Sequence, residues 1–362
     1  MAEIRPVRFG IIGCAEIARK MSRAMSLTPN ATVSAIGSRR LEKAVKFAAD
    51  NNLPASVKLY GSYEDVLDDP DVDAVYLPLP TSIHVRWAVL AAEKKKHVLL
   101  EKPVALHVTE LDRILEACEA NRVQFMDSTM WLHNPRTRIM RDILSDTERF
   151  GAIQSIHSSS SFSPPQEFFE KNIRVKPDLD ALGALGDAGW YCISAILWAV
   201  DYRLPTTVTS LPAAKLNEDG VILTCGASLF WEDNKIATFY CSFLAHESMD
   251  LAVHGSHGAL HVTDFIIPFV EDSASFTISS RAGLGVEDGM HLGWDKTPEE
   301  IRVELHIPQE ALMVQEFAWL VGHIREGGEA PDKKWPEVSR KTQLVLDAVD
   351  KSIALGYKPV EL

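Results

Sequence analysis

Cysteine is scarce in this chain and nowhere paired. Cys14, Cys118, Cys192, Cys225 and Cys241 are scattered over 362 residues, and no CxxC occurs. Zinc ribbons and redox dithiols need that spacing, so neither is supported, and five isolated thiols fit a reducing compartment. Long hydrophobic runs are missing too. No stretch reaches the roughly 18 apolar residues of a membrane span. The apolar run at 9–15 is short and runs at once into Glu16, Arg19 and Lys20, unlike an export signal. Basic charge is in deficit: 37 Lys and Arg stand against 50 Asp and Glu, a formal net charge of −13. Such a surface repels nucleic acid and anionic membranes unless a local basic patch intervenes. The expectation is a soluble, cytoplasmic protein whose partner is a small molecule, not nucleic acid or membrane.

What is present is ordinary globular material, 46% hydrophobic and 24% charged, enough for two cores at about 100–200 residues per domain. Residues 1–128 alternate short apolar runs (7–12, 32–36, 74–77, 97–100, 123–126) with helical stretches. Continuous apolar strands between amphipathic helices predict a parallel, doubly wound sheet covered on both faces. Its ligand crevice then lies at the carboxyl ends of the strands. Beyond residue 128 the pattern changes to a long apolar helix over 187–200 and several alternating segments between 206 and 263. These predict an α+β domain with a mainly antiparallel open sheet over 129–362, whose last helix is free to pack back on the first domain. The serine run 158–161 reads as a strand edge or loop, and Gly283, Gly285 and Gly289 as a surface loop.

The segment Gly10-Ile11-Ile12-Gly13-Cys14-Ala15-Glu16-Ile17-Ala18 sits where the first strand turns into the first helix. A dinucleotide pyrophosphate meets helix amides in that context. Gly13 makes the tight turn, Ala15 stands where a second glycine is usual, and Ala18 is the small residue for helix–strand packing. Gly13, Cys14, Ala15, Glu16 and Ile17 are therefore cofactor candidates, against the alternative of a ligand-free glycine turn. The second strand ends in Gly37-Ser38-Arg39-Arg40, with no carboxylate before Glu42. An NAD site usually places Asp or Glu there, whereas guanidinium forks and a hydroxyl suit a 2′-phosphate. Ser38, Arg39 and Arg40 thus favour NADP over NAD, unless the arginines are merely solvated at a helix start.

Glu101-Lys102-Pro103 ends another buried strand, putting Lys102 at the carboxyl edge of the sheet, where its charge can steady a reacting oxygen. The Lys102–Pro103 bond belongs to the class in which cis peptides occur. Asp187 and Tyr191 lie four apart on the apolar helix and share a face. Asp187 as an N-cap and Tyr191 as a core aromatic are the plain alternatives. His254, His257 and His261 are close in sequence, but a glycine turn separates them and no metal site is expected.

Together these residues resemble the glucose–fructose oxidoreductase, inositol dehydrogenase and MocA family over nearly the whole chain. The resemblance rests on 13–18, Tyr76-Leu77-Pro78-Leu79-Pro80-Thr81-Ser82-Ile83-His84, Glu101-Lys102-Pro103, Asp187 with Tyr191, and Gly255-Ser256-His257-Gly258. Many members carry histidine where this chain has Tyr191. Tyrosine is similar to the branch with glucose–fructose oxidoreductase, dimeric dihydrodiol dehydrogenase and NADP-dependent xylose dehydrogenase.

The resemblance implies hydride transfer between NADP(H) and a sugar hydroxyl or carbonyl. Tyr191 would exchange the proton, Lys102 would assist it, and Asp187 would hold substrate hydroxyls or orient Lys102. It further implies that Leu79, Pro80, His84 and Glu101 line the cofactor crevice. Trp131 and His133, with Pro135, would form a sugar-facing wall, unless they are an ordinary packing cluster. The second domain's sheet would pair two copies in a homodimer. Two alternatives remain: a catalytically silent NADP-binding sensor, and a dihydrodiol or imine oxidoreductase.

Overall fold

The computed structural model describes residues 5–362. Six short strands form the first sheet: β1 (Val7–Ile12), β2 (Ala31–Gly37), β3 (Lys58–Tyr60), β4 (Ala74–Leu77), β5 (His97–Leu100) and β6 (Phe125–Asp127). All pair in parallel, in the order β3-β2-β1-β4-β5-β6. Every residue of β4 and β5 is buried, so both faces must be covered. Helices α1 (Glu16–Ser26), α2 (Leu41–Asp50), α3 (Glu64–Asp68), α4 (His84–Glu93) and α5 (Val108–Asn121) alternate with the strands and cover them. The strand order reverses between β1 and β4, the switch point at which open α/β sheets bind ligands. The short α3 carries too few residues for a periodic signal. It is seated by glycine: a Cβ on Gly10 or Gly37 would come within 2.5 or 2.6 Å of the Val66 methyls.

The second sheet is larger and its strands are linked mainly by antiparallel pairs. Helix α6 (Pro135–Ser145) precedes β7 (Ile153–Ser161), α7 (Gln166–Lys171) and α8 (Trp190–Ala199). Then come β8 (Thr207–Ser210), β9 (Lys215–Leu216), β10 (Ile222–Phe230), β11 (Ile236–Ser242), β12 (Ser248–Gly255), β13 (Gly258–Val262) and β14 (Ser273–Ser280). After them follow β15 (Leu284–Glu287), β16 (Met290–Trp294), β17 (Glu299–Glu304) and, near the C-terminus, β18 (Val360–Glu361). The order is β17-β14-β13-β12-β7-β11-β10-β8-β18, with β9 on β10. Only β7 and β11 run in parallel. All of α8 is buried against this sheet.

Two expectations are corrected here. The serine run lies in β7, which is central, not an edge: β12 flanks it on one side and β11 on the other. Its hydroxyls find partners locally. Ser158 donates to the Asp250 carbonyl at 3.1 Å, Ser161 to that of His246 at 2.6 Å, and Ser159 pairs with Ser248 at 3.0 Å. The glycines at 283, 285 and 289 belong to the exposed hairpin β15–β16, not to an irregular loop. Strands β14 and β17 lie beyond the alternating segments read from the sequence, yet each alternates as a half-buried strand does, with Ala274, Phe276 and Ile278 inward in one and Ile301 and Val303 less exposed than their neighbours in the other.

The last two helices are α9 (Gln309–Gly327) and α10 (Lys334–Ala354). The chain forms two compact units, one of residues up to 133 with 178–181 and 307–343, the other of 134–177, 182–306 and 344–362. In the first unit α9 packs on α1, and Phe317 meets Phe9 of β1 with ring centroids 5.8 Å apart. Burying one such ring contributes about 1.5–3 kcal/mol. Among the described residues no helix is long and apolar enough to cross a membrane.

In the second unit, Arg136 of α6 is 1% exposed. Its guanidinium bonds the Asp264 carboxylate, the Ser275 carbonyl at 2.8 Å and the Asp264 carbonyl at 3.0 Å. Asp264→Ala leaves that charge buried and uncompensated, so the variant should lose about 3–5 kcal/mol of unfolding free energy in urea. An unshifted midpoint would contradict the pairing.

His97 opens β5 at 9% exposure, and its Nδ1 accepts the Gln124 N–H at 2.8 Å. Burial lowers its pKa to about 4, with Asp73 opposing and Arg325 reinforcing the shift. Below about pH 6.5 the unfolded ring binds a proton that the folded ring does not. Its contribution is therefore complete above that pH and falls as pH drops towards 4, by about 3 kcal/mol in all. In His97→Asn this part of the pH dependence should vanish. Identical slopes of unfolding free energy between pH 7 and 4 in both proteins would refute it.

Candidate functional site

At the carboxyl end of β1 the chain turns at Gly13, with φ of +114°. Its N–H donates to the Gly37 carbonyl at 2.9 Å. A Cβ there would lie 3.0 Å from Leu79 Cδ2 and 3.4 Å from the Pro78 carbonyl, so the turn requires glycine. Helix α1 follows, with Ala15 as an N-cap that makes no side-chain cap hydrogen bond. The first-turn amides of a helix, here including Glu16 and Ile17, have no intrahelical partner and attract anions. The Glu16 carboxylate turns aside to Arg19 at 3.0 Å. Cys14 is half-buried; burial raises its thiol pKa, moderated by a hydrogen bond with Ser38 and the charge of Lys43.

Ser38 thus meets Cys14, although 24 positions separate them in sequence. It is 4% exposed and its N–H donates to the Tyr60 carbonyl at 3.2 Å. Arg39 and Arg40 are exposed, and Arg40 is the extended N-cap of α2. Arg39 lies beside Tyr63, whose hydroxyl pKa is raised by burial and drawn down by that guanidinium. The corner therefore carries two guanidinium groups, a hydroxyl and a phenol.

At the ends of β4 and β5, Glu101 is 8% exposed. Its Oε1 accepts the Tyr76 hydroxyl at 2.5 Å and its Oε2 the Lys102 N–H at 3.3 Å. Glu101 thereby holds the turn that carries Lys102, and the Lys102–Pro103 peptide is cis. Leu79 is 7% exposed against Gly13, and Pro80 caps a short 3-10 turn. His84 does not line a crevice. Its ring nitrogens face the Leu79 carbonyl at 2.8 Å and the Val104 carbonyl at 3.1 Å, and it is 1% exposed. Burial lowers its pKa, and its role is to brace the loop bearing Leu79.

In the second unit, a π-helical turn over Leu185–Gly189 leads into α8. Asp187 is not the N-cap of α8, a place taken by Gly189. It sits inside the π turn and pairs with Arg174 Nε at 3.0 Å. Tyr191 follows on the first turn of α8, 9% exposed. Such π turns recur at functional positions. Arg174 lies in a 3-10 turn over Ile173–Val175, three residues that are too few for a periodic signal, so nothing in the sequence pointed to it.

Trp131 and His133 do not offer a wall to a ligand. Trp131 is 1% exposed. The His133 side chain, also 1% exposed, donates from Nδ1 to Glu316 at 2.9 Å and stacks on Trp335 at 4.6 Å. An aromatic that receives a sugar must show one face to solvent, and these two are covered by protein.

Residues 7–128 match the family described as "Oxidoreductase family, NAD-binding Rossmann fold", and residues 138–261 match "GFO/IDH/MocA C-terminal domain". A dTDP-3,4-didehydro-2,6-dideoxy-alpha-D-glucose 3-reductase of Saccharopolyspora spinosa is 31% identical over 290 residues, 80% of this chain and 83% of that protein. A D-xylose 1-dehydrogenase (NADP(+)) of Haloferax volcanii is 35% identical over 187 residues, 52% of this chain and 55% of that protein. Among solved structures, a 3-ketoreductase from Actinomadura kijaniata in complex with NADP and TDP-benzene is similar with a TM-score of 0.79. It is 27% identical, and the match covers 96% of this chain and 98% of that one. With the parallel sheet, the Gly13 turn and the antiparallel second sheet, these matches make the chain a member of the GFO/IDH/MocA oxidoreductase family.

Proposed function

We propose that this oxidoreductase uses NADP(H) to interconvert a sugar hydroxyl and its carbonyl, with Tyr191 exchanging the proton and Lys102 assisting. The observation that carries the cofactor choice is the end of β2, where Ser38, Arg39 and Arg40 stand without an acidic side chain. The residues present fit the group. Gly13 clears space that a Cβ would fill, the uncapped start of α1 suits a pyrophosphate, and the two guanidinium groups suit a 2′-phosphate. When bound, NADP(H) supplies or accepts a hydride at nicotinamide C4.

The remaining work falls to side chains. A free phenol has a pKa of about 10, so Tyr191 needs a nearby cation to give and take a proton near neutrality. In this reading, which rests on the family resemblance, Lys102 is assigned that charge and would also favour negative charge on the reacting oxygen. Asp187, paired with Arg174 at 3.0 Å, accepts hydrogen bonds from substrate hydroxyls in this reading. The sugar class follows the relatives, a deoxyhexose nucleotide reductase and a xylose dehydrogenase. A homodimer through the second sheet belongs to the same reading, supported by exposed Phe230, Ile236 and Tyr240 on β10 and β11.

Replacing Arg39 and Arg40 together by alanine should weaken NADPH binding about 10–100-fold while leaving NADH nearly unchanged. Fluorescence titration measures both, and an equal loss for the two cofactors would reject the 2′-phosphate role. For catalysis, aldoses, dihydrodiols and dicarbonyls are screened by NADPH absorbance. Tyr191→Phe and Lys102→Met should each lower kcat by about 10²–10⁴. Unchanged rates would remove both residues from the chemistry, and a wild-type protein that binds NADPH but turns over nothing would point to a sensor.

A further inference from the structure

The first unit holds a cavity of about 550 Å³ by the amino-terminal end of β6, whereas the cofactor candidates sit at carboxyl strand ends. Small-molecule sites commonly span about 300–1,000 Å³ and are largely apolar with a few placed polar groups. This one has Leu115 and Cys118 from α5, Val123 and Phe125 leading into β6, and Pro331 and Pro336 around the start of α10. Cys118 is 3% exposed, and burial raises its thiol pKa to about 12, so it adds an uncharged wall.

The charges around this floor are nearly all satisfied. Glu119 pairs with Lys333 at 3.1 Å, and Glu337 with Lys341 at 2.6 Å. Asp332 accepts the Lys334 N–H at 2.9 Å. Arg340 holds Asp112 through two bonds at 2.7 and 3.1 Å. Arg122 differs. It is exposed, has no carboxylate partner among the described residues, and reaches only the Gly328 carbonyl, at 3.4 Å. It also occupies the C-cap of α5 with φ of +55°, a conformation that favours glycine and costs other residues roughly 1 kcal/mol.

We propose that this cavity binds a small carboxylate with an apolar body. The body covers the Leu115–Phe125–Pro331 floor, and the carboxylate pairs with the Arg122 guanidinium in the forked geometry that group prefers. An aliphatic and an aromatic acid share this chemistry, so octanoate and 4-phenylbutyrate serve as separate probes and octanol as the uncharged control.

The test follows the methyl NMR signals of Leu115 and Val123 in the full chain, with and without NADP, so that it does not depend on turnover. At least one acid should shift both residues, with octanol weaker by about tenfold or more. Arg122→Gly should weaken the acid by a similar factor and leave octanol binding unchanged. Its thermal midpoint should stay level or rise, because glycine adopts the positive φ without strain. The proposal is overturned if neither acid moves these methyls, if octanol binds as tightly, or if Arg122→Gly binds the acid like the wild type.

Discussion

The first unit depends on a single constraint, that β1 has no solvent face. Val7, Phe9, Ile11 and Ile12 are each 0% exposed, so both sides of the strand must be covered by apolar material. On one side the cover comes from α1 and from α9, a helix that lies about 300 residues further along the chain and brings Phe317 against Phe9. On the other it comes from the small α3, whose Val66 fits only because Gly10 and Gly37 lack side chains. The same economy of space operates at Gly13. There the positive φ and the contact with Leu79 bring the ends of β1 and β4 together and leave helix amides facing outward.

The second unit meets a different problem. Its sheet is too polar in places to be held by apolar burial alone, and its central strand ends in four serines. The hydroxyls of Ser158, Ser159 and Ser161 are matched to a carbonyl or another hydroxyl, which avoids the cost of about 1–3 kcal/mol for an unmet buried polar group. Arg136 is treated likewise. Desolvation lowers its pKa, and Asp264 with two further carbonyls compensates. In the first unit Asp127, 2% exposed with its pKa raised by burial, accepts the Thr129 N–H and the Ser339 hydroxyl.

Charge is unevenly spread against the net of −13. The cations proposed to meet a dinucleotide, Arg39 and Arg40, are local exceptions on an acidic chain. In the proposed reading a few side chains and backbone amides would hold an anionic ligand that the bulk surface repels. The carboxylates of this region are drawn away from it. Glu16 pairs with Arg19, and Glu101 is turned towards Tyr76 and its own chain.

Sequence alone determined the parallel sheet, the change to an antiparallel one, and the glycine turn. Continuous apolar strands, alternating strands and a residue that must adopt positive φ all leave local signatures. Tertiary structure decided what depends on distant partners. His84 and His133 look like site residues in sequence, yet carbonyl oxygens from two loops surround one ring, while Glu316 and Trp335 enclose the other. Arg174 reaches Asp187 from a three-residue 3-10 turn too short to show periodicity, and the serine run became part of a central strand. Periodicity records which way a side chain faces, whereas burial and pairing are set by whichever remote segment arrives to meet it.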